Sequence, residues 1–190
     1  MIIEAHNGLS RPFDVAIVGL GPVGCLAAIL LAEAGLKVVA VEKEVQVYTL
    51  PRAVNLDGEI IRALQPIGLA ETVNQMMQPI RRNERAGFAN SKREWLFGGN
   101  AVAVGSSGWQ SANMFDQPEL ESFLRTQALS HANVSHYIGY EVTEFFNSPT
   151  QVTLNASGIG KSVSLTAKYL VACDGANSPT RKALGVGLRD

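Results

Sequence analysis

An α/β fold, with a parallel sheet extended by an antiparallel meander, is predicted by three features of this 190-residue chain. Two nearly continuous apolar runs, residues 13–19 and 36–43, flank a segment of helix formers, as in strands buried on both faces of a parallel sheet. Three alternating runs follow at residues 140–146, 151–157 and 161–167, separated by "NSPT" and "GIG", the pattern of a three-stranded meander. A last run, "KYLVACDG" at residues 168–175, returns to the continuous apolar type and is assigned to the parallel sheet.

In chain order, residues 1–12 read as a leader and residues 13–190 as one domain. "FDVAIVG" is the first strand. "PVGCLAAILLAEAG" (22–35) is a helix with Pro22 in its first turn and Gly35 as its stop. "LKVVAVEK" completes a βαβ unit. Asp57 caps a short helix that runs to Leu64 and is ended by Pro66. Residues 84–97 read as a hairpin turning at Asn90 and Ser91. Residues 116–129 carry a capping-box pair, Asp116 and Glu119, and an apolar face of Leu120, Phe123, Leu124 and Ala128.

The composition is 46% hydrophobic and 17% charged with net charge −1, that of a soluble globular protein without the basic excess of a nucleic-acid binder. The N-terminal residues lack the pattern of a signal peptide and no apolar run reaches membrane-spanning length, so neither secretion nor a membrane span is expected. Two cysteines, Cys25 and Cys173, beside glycine turns suit a reduced cytoplasmic setting. His6, His131 and His136 show no ligand spacing with them, and no metal is expected. Packing is the favoured role for Trp95 and Trp109 over contact with a substrate.

"GLGPVG" places Gly19, Gly21 and Gly24 between the first strand and the first helix. Gly19 permits the tight turn, Gly21 admits a pyrophosphate to the backbone, and Gly24 lets helix and sheet pack closely. The helix N-terminus, with Pro22 and Val23, offers N–H groups to phosphates. Glu42 lies 18 residues beyond Gly24, close to the spacing of an acid that holds ribose hydroxyls; Lys43 follows it. A carboxylate there repels a 2′-phosphate, which favours FAD or NAD over NADP at this site. At the end of the last strand, Asp174 is placed to accept from a ribityl hydroxyl and Gly175 relieves the turn, although a plain helix-capping turn explains the same residues. Arg181 offers a fork to a phosphate or to NAD(P)H.

From residue 13 to residue 188 the chain resembles the class A flavoprotein monooxygenases, or aromatic-ring hydroxylases. "GLGPVG" with Glu42 is similar to their FAD fingerprint and "CDGANSPTRKALGV" to their D-G motif. "LPRAVNLDGEIIRALQPIGL" resembles their P-R-A segment, and "GWQSANMFDQPELE" the segment carrying a flavin-contacting glutamine. The likeness is greatest to the type acting on 3-(3-hydroxyphenyl)propionate. It implies a Rossmann-like, glutathione-reductase-like FAD-binding fold, with Arg52 against the cofactor, Gln117 hydrogen-bonded to it and the Val142 backbone at the adenine. The implied chemistry is reduction of FAD by NADH or NADPH, then hydroxylation of a phenolic aromatic acid through a flavin C4a-hydroperoxide. The flavin carries that chemistry, so no catalytic acid, base or nucleophile is assigned.

The family's further G-D motif has no match here, since "DG" occurs at Asp57 and Asp174 and "GD" nowhere. The chain therefore resembles the N-terminal portion of such an enzyme, and self-association or a partner supplying the remainder is expected. Two other readings stay open: a flavin-dependent reductase of isoprenoid chains, and an FAD-binding fragment without turnover.

Overall fold

The computed structural model describes residues 13–80, 85–100 and 104–188. The leader expected over residues 1–12 lies outside them. In chain order the elements are β1 (Phe13–Val18), α1 (Pro22–Glu33), β2 (Val38–Glu42), β3 (Asn55–Leu56), α2 (Gly58–Leu64), α3 (Ala70–Gln75), β4 (Gln78–Pro79) and β5 (Arg85–Ala89). They continue as β6 (Trp95–Asn100), β7 (Asn113–Met114), α4 (Gln117–Ser130), β8 (Val134–Ile138), β9 (Glu141–Asn147), β10 (Val152–Gly158), β11 (Lys161–Ala172) and α5 (Pro179–Ala183). Two compact units result, one of Met1–Tyr48 with Glu121–Asp190 and one of Thr49–Leu120.

The first unit is built on a six-stranded mixed sheet in the order β8-β2-β1-β11-β10-β9. Strands β8, β2, β1 and β11 are parallel, whereas β11, β10 and β9 pair antiparallel. The third run of the meander and the last parallel strand, expected as separate pieces meeting at residue 167, are one strand, β11. Ala167 pairs with Val152 of the meander and with Phe13 of β1. No turn residue interrupts "SLTAKYLVA", so the backbone passes from one partner to the other without a bend. Strand β8 was not expected from the sequence, because polar Ser135 and His136 break its apolar pattern. It is held by β2 in register Val38↔Val134 to Glu42↔Ile138.

Strands β1 and β2 are buried as their apolar runs predict: Ala16, Ile17, Val38, Val39 and Ala40 are fully inaccessible. Alternation divides them between faces. Ala16, Val18, Val39 and Val41 join Val152, Leu154, Ala156, Leu165 and Ala167 in one cluster. At about 1.5–3 kcal/mol for each fully buried large aliphatic side chain, this cluster is a main source of the unit's stability. Helix α1 buries Gly24, Cys25, Ala28, Ile29 and Ala32, mostly small residues that permit close approach. It ends at Gly35, whose φ of 84° lets Gly35 N donate to Ala32 O and Leu36 N to Leu31 O, a Schellman stop.

In the second unit β3, β7 and β4 form a small antiparallel sheet. Asp57 caps α2 as expected, its Oδ1 accepting from Glu59 N at 3.1 Å and Ile60 N at 3.2 Å. Pro66 does not end the chain's winding at once; it sits in a 3-10 turn over Gln65–Ile67 that Gly68 then closes. Ile61, Leu64, Ala70, Val73, Met77 and Leu120 are the buried apolar residues among those described here. The β5–β6 hairpin turns on Asn90, whose Oδ1 accepts from Lys92 N at 3.0 Å and Glu94 N at 2.9 Å. Residue 84, the expected start of that hairpin, lies outside the described residues. Trp95 lies across the hairpin, its ring 2.7 Å from where a Cβ on Gly87 would stand. No helix among the described residues is long and apolar enough to cross a membrane.

Candidate functional site

Strand β1 lies between β2 and β11, so the chain leaves its carboxyl end at the point where the sheet order reverses. Open α/β sheets hold ligands at such a switch point. The turn that follows begins at Gly19, whose N donates to Val41 O of β2. Beside it Cys173 N, just past β11, donates to Val18 O. The ends of three parallel strands thus bring Gly19, Glu42 and Asp174 to one edge.

The three glycines differ in what surrounds them. Gly19 has φ 96°, and a Cβ there would stand 2.5 Å from Cys173 O. A Cβ on Gly24 would collide with Gly19 O and stand 3.2 Å from Cys173 Cβ. Gly21, by contrast, has nothing within 4 Å of a Cβ position. It is the N-cap of α1, with no side-chain cap and no acid in the first turn. Val23 beside it is 71% exposed. An open backbone at an uncapped helix N-terminus is the arrangement that receives a pyrophosphate. The residues present therefore fit a dinucleotide.

Glu42 ends β2 almost buried. Its Oε2 accepts from Leu20 N at 2.6 Å and its Oε1 from Glu44 N at 2.7 Å, so the carboxylate braces its own turns. A carboxylate accepts about four hydrogen bonds, which leaves capacity for ribose hydroxyls. Lys43 is exposed next to it. Gly139 N and Tyr140 N both donate to Glu42 O, bringing the start of β9 alongside the end of β2. Val142 lies two residues further, on the outer strand of the sheet, its side chain packed against the core cluster.

Asp174 Oδ2 accepts from Thr180 N at 2.9 Å, and Ser178 caps α5 by accepting from Arg181 N. Partial burial pushes the Asp174 carboxyl up, but hydrogen bonds from Ser178 and Thr180 outweigh it and hold the group below its ordinary value. The helix-capping reading of "DGANS" is thus realised in the structure. Gly175 has φ 82° and is exposed. The Arg181 side chain donates from Nη1 to Val186 O at 2.8 Å, which commits one arm of its fork to the chain's own backbone.

In the second unit the structure brings Arg52 and Gln117 together. Gln117 Oε1 accepts from Arg52 N at 2.9 Å and Ala53 N at 2.8 Å. The P-R-A segment is therefore tied to the first residue of α4 through the acceptor end of an amide, and the donor end is what a ligand would use.

One buried group escapes the sequence reading. Arg125 on α4 lies 3.9 Å from Glu42 Oε2 and 4.0 Å from Glu121 Oε1, with all three side chains nearly inaccessible. The signal available in the sequence was the i,i+4 pair Glu121 and Arg125 running beside the apolar stripe Leu120, Leu124 and Ala128. Cys25 is likewise buried and donates from Sγ to Leu20 O at 3.1 Å. Burial pushes its thiol up to about 12.

A family model described as an FAD binding domain matches residues 12–190. Among curated proteins, 3-(3-hydroxy-phenyl)propionate/3-hydroxycinnamic acid hydroxylase 2 of Burkholderia vietnamiensis is 36% identical over 176 residues, covering 92% of this chain and 32% of that protein. Hydroxylase 1 of the same organism is 34% identical over 174 residues, covering 91% and 28%. The chain spans about a third of the length of these relatives. Among solved structures, p-nitrophenol 4-monooxygenase PnpA from Pseudomonas putida superposes with a TM-score of 0.79 at 26% identity, covering 92% of this chain and 44% of that one. The flavin-dependent monooxygenase PieE, in complex with FAD and substrate, shares the fold with a TM-score of 0.80 at 21% identity, covering 95% and 33%.

Proposed function

The chain belongs to the FAD-binding domain family of the class A flavoprotein hydroxylases, and on that premise we propose that it is the FAD-holding module of a monooxygenase acting on a phenolic aromatic acid, with NADH or NADPH as electron donor. The observation that carries this reading is the open backbone at Gly21, flanked by an uncapped α1 N-terminus and by Glu42. The names of its curated relatives support the substrate class.

In this reading the pyrophosphate lies on Gly21, Pro22, Val23 and Gly24, where the N–H groups of the first helical turn and its dipole favour negative charge. Glu42 holds the adenosine ribose with Lys43 at its flank, and the Val142 backbone meets the adenine. Asp174 and Gly175 border the ribityl chain, Arg52 and Gln117 serve the flavin, and Arg181 answers a phosphate or NAD(P)H. When bound, FAD supplies the redox chemistry; these residues bind it and orient it. The apolar side chains open on the hairpin, Phe88 at 62% and Phe97 at 63% exposure, support the expectation of a covering segment or a second copy.

In a second reading the chain binds FAD and does not turn over alone. One experiment addresses both: titrate the purified chain with FAD, following the flavin absorption bands, then supply 3-(3-hydroxyphenyl)propionate with NADH or NADPH and measure oxygen uptake and product. Binding with coupled hydroxylation supports the first reading, binding without turnover the second, and no binding at saturating FAD ends both.

A further inference from the structure

Arg125 is 8% exposed, and both of its ion pairs are long. Its carboxylate neighbours stand at 3.9 and 4.0 Å. The N–H groups go instead to backbone carbonyls: Nε and Nη2 to Leu20 O at 3.4 and 3.3 Å, and Nη1 to Glu44 O at 3.2 Å and Val45 O at 3.5 Å. Leu20 O also accepts from Cys25 Sγ, while Leu20 N donates to Glu42 Oε2 at 2.6 Å. Both peptide groups of Leu20 are therefore held. The carbonyl side matters most, because Leu20 O belongs to the peptide that contains Gly21 N, and Gly21 is where the backbone stands open.

We propose that Arg125 is a positioning residue for the dinucleotide: it sets the plane of the Leu20–Gly21 peptide, and through it the surface on which the pyrophosphate rests. The inference rests on the reading that this turn receives FAD. A planar fork suits the task, because it reaches the turn after β1 and the turn after β2 at once, which a lysine ammonium on a single stem cannot do. Its charge also separates Glu42 from Glu121, two carboxylates buried in one place. Arg125 acts on the cofactor only through Leu20, Glu42 and Gly21.

The test uses two variants of the purified chain. Arg125→Lys keeps the charge and loses the fork. Arg125→Met with Glu121→Gln removes the cation together with one acid, so that the net charge of the buried cluster is unchanged. Two quantities are read: the FAD dissociation constant from flavin fluorescence, and amide hydrogen exchange at Leu20 against Leu165 in the core. Both variants are expected to weaken FAD by about tenfold or more. Exchange at Leu20 is expected to quicken by about tenfold while Leu165 keeps its parent rate. Parent-like affinity and Leu20 exchange in the double variant, or full rescue by lysine, would overturn the proposal, since charge balance alone would then account for Arg125. If the double variant fails to fold, the lysine variant decides alone by the same two readings. A parent chain that binds no FAD would end the cofactor reading, and exchange at Leu20 would still decide whether Arg125 holds the turn.

Discussion

Alanine at Gly24 and alanine at Gly21 are expected to have opposite consequences, although both are one-carbon additions three residues apart in the same motif. At Gly24 the new Cβ meets Gly19 O inside any tolerable contact and stands 3.0 Å from Gly19 C and 3.2 Å from Cys173 Cβ. Two of these three atoms are backbone, so no rotamer change relieves the overlap, and α1 must move off the sheet. Overpacking costs about 1–3 kcal/mol, and a backbone obstacle argues for the upper end. For a domain of this size about 3 kcal/mol lowers the unfolding temperature by about 6–12 °C. At Gly21 the φ of −70° suits any residue and the Cβ position is empty. Alanine as an N-cap loses about 0.5–1 kcal/mol against glycine, and restricting the unfolded chain returns about 0.4–1 kcal/mol, so the net effect on stability is near zero. The methyl instead fills the place assigned to the pyrophosphate, and FAD affinity should fall at least about tenfold, or 1.4 kcal/mol. Thermal unfolding and a flavin fluorescence titration of both variants check this. Parent-like FAD binding by Gly21→Ala, or a parent-like unfolding temperature for Gly24→Ala, would refute the division of labour among the glycines.

Glu42→Gln should lower both stability and FAD affinity. One of the two N–H groups held by Glu42 would face an amide donor, a loss of about 1–3 kcal/mol, and an unchanged unfolding temperature would show that the brace carries no weight. Asp174 has a folded-state pKa below its ordinary 3.8, so its contribution to stability is present above that value and is lost as the pH falls through the lower folded one. Asp174→Asn should therefore be less stable than the parent at neutral pH, with the difference closing on acidification; a pH-independent difference would argue against it. Cys25 is inaccessible, with its thiol pushed up to about 12, whereas Cys173 is partly open. A thiol reagent near pH 8 should label Cys173 first and reach Cys25 only on unfolding, as mass spectrometry of the labelled peptides would show; equal labelling of both in the folded chain would contradict the packing of α1.

What the sequence by itself determined lies where local pattern and local chemistry coincide. The runs at residues 13–19 and 36–43 became β1 and β2 because an all-apolar strand is stable only with both faces covered. Gly19, Gly24 and Gly35 took the turn, the close contact and the helix stop, since each needs a missing side chain or a positive φ that few other residues provide. Tertiary structure decided the rest. Strand β8, interrupted by polar residues, is a strand only because β2 offers it an edge. Strand β11 runs without a break because two different partners take its two halves, a choice written in neither half alone. The site shows the same limit. Glu42 was legible from its spacing, but Arg125 lies more than a hundred residues from Leu20 in the chain. A charged residue beside an apolar stripe is ordinarily solvated, and only the folding of α4 against the turns after β1 and β2 buries this one and turns its fork toward their carbonyls.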